Sequence, residues 1–203
     1  MSKQYDDVVT GNTFDKYRTK NPIYQWLMSR FLDPAFELAA ELDIDTALEV
    51  GCGPGDLAKR LLPNLRCNRY VGTDIGKDEI EIARKQNPAH EFQVADIYSL
   101  PFSNKEFDLT IACEVTEHLK NPHKAIQEIS RVTKKHLLLS VPSEPWWRLL
   151  NMSRLKYIRH LGNTPGHLQH FSPKSITSLV SNDFQIIDFR RPFPWLMLIA
   201  EKK

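Results

Sequence analysis

From Thr46 to Val141 short apolar runs alternate with amphipathic ones, strand pattern with helix pattern, five times over about 100 residues. Strands are expected at Thr46–Val50, at Arg69–Thr73 running into Asp74, and at Glu91–Ala95 running into Asp96. Two more are expected at Phe107–Ala112 and at His136–Val141, the latter stopped by Pro142. Helices fill the gaps at Asp56–Leu62, at 77–86 with Ile80, Ile82 and Ala83 as its buried face, and at about 121–133. A parallel neighbour can be reached only through a crossover, usually a helix, so this rhythm predicts a doubly wound, mostly parallel α/β sheet. A further helix is expected near 173–181, then strands near 184–190 and 195–201, making seven strands. Only a short link containing Pro192 and Pro194 joins the last two, which predicts an antiparallel last strand in a hairpin at one edge.

The flanks are less regular. Residues 22–42 place Ile23, Trp26, Leu27, Phe31, Phe36, Leu38 and Leu42 at mostly helical spacing, with a break expected at Asp33–Pro34. With the preceding residues they make an N-terminal helical segment, 1–43; a helical insertion is expected within 144–171. At 203 residues, 41% hydrophobic and 26% charged, the chain reads as one soluble domain spanning 1–203. Its 27 Lys and Arg against 25 Asp and Glu give a net charge of +2, which offers no general attraction to nucleic acid or membrane. The sequence has no transmembrane run, and its polar start lacks the apolar stretch of a signal peptide. Cys52, Cys67 and Cys113 have neither metal-like nor disulfide-like spacing and read as reduced thiols of a cytoplasmic protein.

Ligands of open α/β sheets bind beyond the carboxyl ends of the strands. The first expected strand ends in Gly51-Cys52-Gly53-Pro54-Gly55, and about 20 residues on, the second ends in Asp74, placed to accept from ribose hydroxyls. The pattern points to a nucleoside-containing ligand. A dinucleotide fingerprint requires a third glycine where Asp56 stands, and an aspartate at a helix mouth repels a pyrophosphate. A P-loop is excluded because no Gly-Lys-Ser/Thr follows. A cationic sulfonium nucleoside is instead compatible with Glu49 and Asp56.

Leu48-Glu49-Val50-Gly51-Cys52-Gly53-Pro54-Gly55-Asp56 resembles motif I of class I S-adenosylmethionine-dependent methyltransferases, in the group called type 11, over most of the chain. The resemblance implies the Rossmann-like fold of that class, S-adenosyl-L-methionine as cofactor, and methyl transfer. It implies that Glu49, Gly51, Gly53 and Gly55 shape the methionine side and that Asp74 holds the ribose. Ile75 would pack on adenine, and Asp96, followed by Ile97, would accept from the adenine amino group. It also makes Tyr17 and Asn21 part of a lid, within 1–43.

Cys113-Glu114-Val115-Thr116-Glu117-His118 follows the fourth strand and is similar to the corresponding element of the type 11 group. Three roles stay open: ordering the loop, general-base catalysis by His118 or Glu117, and a metal site. Histidine suits proton transfer because its pKa lies near working pH. The metal reading comes from a resemblance to small-RNA 2′-O-methyltransferases and ubiquinone-pathway O-methyltransferases. It would use Glu114, Glu117, His118 and either His167 or His170. His170, just before the helix that Ser172 and Pro173 open, is also a catalytic candidate. In the insertion, Trp146, Trp147 and Tyr157 with Arg148, Arg154, Lys156 and Arg159 suit a small acceptor, aromatic or lipid-like and bearing an anionic group. The near-neutral charge argues against a nucleic acid acceptor. Two rivals from other classes are an NAD-binding oxidoreductase and a catalytically silent cofactor-binding partner protein.

Overall fold

A computed structural model describes residues 22–153, 157, 160–164 and 166–203. The strands are β1 (Thr46–Val50), β2 (Arg69–Asp74), β3 (Glu91–Val94), β4 (Phe107–Cys113), β5 (Thr133–Pro142), β6 (Phe184–Arg190) and β7 (Trp195–Lys202). The helices are α1 (Pro22–Ala40), α2 (Asp56–Leu61), α3 (Lys77–Gln86), α4 (Pro122–Val132), α5 (Trp146–Ser153) and α6 (Pro173–Val180). All seven strands form one sheet in the order β3-β2-β1-β4-β5-β7-β6. Neighbours from β3 to β5 run parallel, and β7 lies antiparallel to both β5 and β6. The doubly wound sheet with its antiparallel last strand is therefore as the alternation predicts.

Period-two alternation divides β1 between two cores. Ala47 joins Leu27, Phe31, Leu38, Leu57, Ile80, Leu109 and Ile111 on the side covered by α1, α2 and α3. Leu48 and Val50 join Phe107, Ile126, Ile129, Leu139, Ile176 and Phe184 on the side of α4 and α6. Both faces of the central strands are covered, which is why those strands read as nearly continuous apolar runs. Among the described residues no helix is long and apolar enough to cross a membrane.

Three expectations need correction. The helix does not break at Asp33–Pro34; α1 runs through Pro34. Leu27, Met28, Phe31, Leu32, Ala35, Leu38 and Ala39 form one buried stripe across that point. Burial of this stripe outweighs the ~3 kcal/mol that an interior proline costs a helix. Ile82 is 42% exposed, because at 3.6 residues per turn it stands opposite Ile80 and Ala83. Finally, β5 begins at Thr133, earlier than the apolar run at His136, because Thr133 is already paired with Phe107 of β4. In the N-terminal segment, α1 belongs to the core and contacts β7, while Tyr17 and Asn21 lie outside the described residues. Within the insertion, helix is described at α5; Arg154, Lys156 and Arg159 lie outside the described residues.

Candidate active site

The β1–α2 turn sits at the carboxyl end of the sheet, where order reverses between β2 and β4 around β1. Gly51 adopts φ 68°, and a Cβ there would lie 2.4 Å from Val115 Cγ2. Gly55 adopts φ 80°, and its Cβ would meet Asn87 Nδ2 at 2.6 Å. Both positions combine a left-handed backbone with close approach, so glycine is required twice over. The loop is fixed from below by Cys52 N donating to Thr73 O at 2.9 Å, and from outside by Gln86 Nε2 donating to Pro54 O at 2.7 Å.

Asp74 ties the loop to the next strand. Its carboxylate accepts from Gly53 N and from Gly76 N, each at 2.9 Å. A carboxylate has about four acceptor sites, so two remain for ligand hydroxyls. One strand over, Asp96 Oδ1 accepts from Tyr98 N at 2.9 Å, and Ile75 and Ile97 are half-exposed beside these acids. The parallel pairing of Asp74 with Val94 brings all four to one edge. Asp56, in the first turn of α2, is buried.

Glu49 occupies an unexpected environment. It is 3% exposed, and Tyr70 Oη donates to its Oε2. Burial pushes its carboxyl up to about 8, with the Tyr70 hydrogen bond opposing and the Asp74 and Asp56 charges reinforcing that rise. Sequence reading passed over Tyr70, which sits inside an apolar strand pattern and gives no local sign of a polar role.

The turn after β4 is pressed against the glycine loop, since Val115 is the neighbour of Gly51. Glu114 has φ 61° and accepts from Trp195 Nε1 at 2.8 Å. Glu117 is 1% exposed. His118 Nδ1 lies 2.9 Å from Gly166 O. A carbonyl only accepts, so Nδ1 carries the hydrogen and neutral His118 presents its lone pair at Nε2. That atom stands 3.9 Å from Glu117 Oε1.

Segment 166–169 is bound to this turn: Leu168 N and Gln169 N both donate to Glu117 O, at 2.8 and 2.9 Å, and Gln169 Nε2 donates to Leu119 O at 3.1 Å. The result sets His167 edge-on to His118, ring centroids 4.9 Å apart, and stacks Trp147 on His167 at 6.1 Å. Of the candidate side chains, Glu117, His118 and His167 converge, with donor atoms all within 4.8 Å of one another. Neither Glu114 nor His170 joins that group. His170 is exposed, with Nε2 3.0 Å from Asn163 Oδ1, and partial burial together with Arg148 lowers its pKa. The two tryptophans separate: Trp147 faces His167 and Trp195, whereas Trp146 is 54% exposed beside Phe193.

A seven-stranded sheet of this order, with a glycine turn after its first strand, is the fold found in class I S-adenosylmethionine-dependent methyltransferases. Residues 48–140 match the family model described as Methyltransferase domain, of type 11. A 2-phytyl-1,4-naphtoquinone methyltransferase of Nostoc punctiforme is 33% identical over 97 residues, 44% of this chain and 42% of that protein. An uncharacterised methyltransferase of Schizosaccharomyces pombe is 27% identical over 145 residues, 66% of this chain and 51% of that one. The chain thus spans about half the length of the curated relatives it matches. Magnesium protoporphyrin IX methyltransferase from Synechocystis, solved with bound SAH, shares the fold with a TM-score of 0.69 at 19% identity, covering 94% of each chain.

Proposed function

We propose that the protein is an S-adenosylmethionine-dependent methyltransferase acting on an oxygen or nitrogen atom of a small-molecule acceptor, with His118 taking the proton. The contact of Gly51 with Val115 carries this reading, because it sets the turn bearing Glu117 and His118 against the loop tied to Asp74. In its bound state S-adenosylmethionine supplies a methyl group on a good leaving group, for in-line displacement. Glycines 51, 53 and 55 let the loop approach it closely, and Asp74 accepts from its ribose. Ile75, Asp96 and Ile97 receive adenine. His118, oriented through Gly166, accepts the acceptor's proton at Nε2, and the Glu117 carboxylate stabilises the imidazolium that forms. Trp147 and Arg148 favour an aromatic or lipid-like acceptor with an anionic group. The acceptor named for one relative, a 2-phytyl-1,4-naphtoquinone, is likewise aromatic and lipid-like. A reducing, cytoplasmic setting suits Cys52, Cys67 and Cys113, none of which is in a disulfide.

Thermal melts with S-adenosylhomocysteine, with NAD and without ligand test this. At a hundred times its Kd, S-adenosylhomocysteine should add about 2.7 kcal/mol. A shift with NAD alone would replace the reading with an oxidoreductase. Binding without turnover of any phenolic, amine or carboxylate acceptor would point to a silent partner subunit.

The convergence of Glu117, His118 and His167 favours a second reading, a metal-assisted O-methyltransferase acting on a quinone-type phenol or on RNA. One carboxylate and two imidazoles suit a Zn²⁺-like ion, and His118 has the carbonyl-bound second nitrogen common among ligating histidines. Such an ion lowers the pKa of a bound hydroxyl. Metal analysis of purified protein, with turnover before and after chelation, decides between the readings; a metal-free, chelator-insensitive enzyme leaves His118 as base.

A further inference from the structure

Side chains at 47, 49, 70 and 72 lie on one face of the paired strands, in register Ala47 with Tyr70 and Glu49 with Gly72. Opposite Glu49, Gly72 leaves room for the Phe92 ring, which a Cβ there would strike at 2.5 Å. The Tyr70 ring packs edge-on against Phe92 and His90 at 6.0 and 5.7 Å, and its hydroxyl reaches Glu49 Oε2. Both members of the resulting pair are buried, Tyr70 at 2% and Glu49 at 3% exposure. The titratable groups around them are Asp74 from β2, Asp56 from α2, Cys52 from the loop and, about Tyr70, Cys67 and the His90 ring.

We propose that Tyr70 is a positioning residue for the cofactor: its hydroxyl holds the Glu49 carboxyl beneath the glycine loop, and Glu49 releases a proton to solvent when a cationic ligand fills that loop. This rests on the methyltransferase reading. Ligand-free, the pair is Glu49–COOH with Tyr70–OH, because burial raises the carboxyl to about 8. Arrival of sulfonium and ammonium charge favours the carboxylate, and the O–H bond of Glu49 breaks heterolytically, its proton passing to bulk buffer. Tyr70 keeps its own proton, since burial and the Glu49 charge push its phenol well above the ordinary value, and it remains the donor that steadies the anion. Ligand binding and deprotonation are therefore linked, each favouring the other.

Calorimetry of S-adenosylmethionine and S-adenosylhomocysteine binding, in two buffers of different ionisation enthalpy from pH 6.5 to 9, tests this. The wild type should release a fraction of a proton at pH 7, more with the sulfonium ligand, and Glu49→Gln should abolish that release. Tyr70→Phe should weaken binding about tenfold at pH 7, as expected for losing a hydrogen bond to a charged group, with the deficit shrinking towards pH 9. A purely structural role would give the same deficit at every pH. No proton release that depends on Glu49, or a pH-independent Tyr70→Phe deficit, overturns the proposal while leaving the cofactor reading intact. Failure of both ligands to bind the wild type overturns the cofactor reading itself.

Discussion

Individual side chains at the carboxyl edge of the sheet serve architecture and chemistry together. Asp74 fastens the glycine loop through Gly53 N and its own turn through Gly76 N, and two acceptor sites remain for the proposed ligand. Asp74→Ala should therefore weaken S-adenosylhomocysteine binding tenfold or more, measured by calorimetry, through loss of buried hydrogen bonds. Glu49 has an opposite kind of tension. Its folded carboxyl titrates at about 8, far above the ordinary 4.5, so the native state holds a proton that the unfolded state has lost. Stability from this group thus falls as pH rises from about 4.5 to about 8 and then levels. Urea titrations at pH 5, 7 and 9 should show ligand-free Glu49→Gln gaining on the wild type with pH; parallel curves would refute it. The glycines and Asp74 were legible in the sequence because a tight turn and a strand end leave local marks. Tyr70 was not, because its partner lies across the sheet and its strand looks apolar either way.

At the scale of single elements, α1 and α6 show how far local signals reach. Ser172 caps α6 through a reciprocal pair of hydrogen bonds with Ser175, and Pro173 fills the first turn, as the sequence suggests. Ser172→Ala should cost about 1 kcal/mol and lower Tm by about 2–4 °C in calorimetric melts. Pro34 is the contrary case. Its local preference is to end a helix, yet α1 continues because Phe31, Leu32, Ala35 and Leu38 all find burial in one continuous helix. Phe31, 1% exposed and 5.1 Å from the Trp195 ring, anchors that contact. Phe31→Ala should destabilise by about 3–5 kcal/mol, measured by urea unfolding, from lost apolar burial and the cavity left.

For the molecule as a whole, stability should grade from the middle of the sheet outward. In β4 only the last residue is not buried, whereas β3, at one edge, buries a single residue. Amides of β1, β4 and β5 should exchange slowest and those of β3 fastest among the strands, by hydrogen–deuterium exchange mass spectrometry. What the sequence by itself determined was the set of repeating and contiguous features: the seven strands, their crossovers, the glycine turn, Asp74 ending β2 and Asp96 just after β3. Each is encoded by neighbours in the chain, through residue period and allowed backbone angles. Only the tertiary structure decided that His167 and not His170 meets Glu117 and His118, that Glu49 is buried against Tyr70, and that Pro34 stays inside a helix. Those outcomes depend on which surfaces remote segments bring together. The two histidines are three positions apart on one loop, and hydrogen bonds from Leu168 and Gln169 to the Glu117 carbonyl set which ring meets His118.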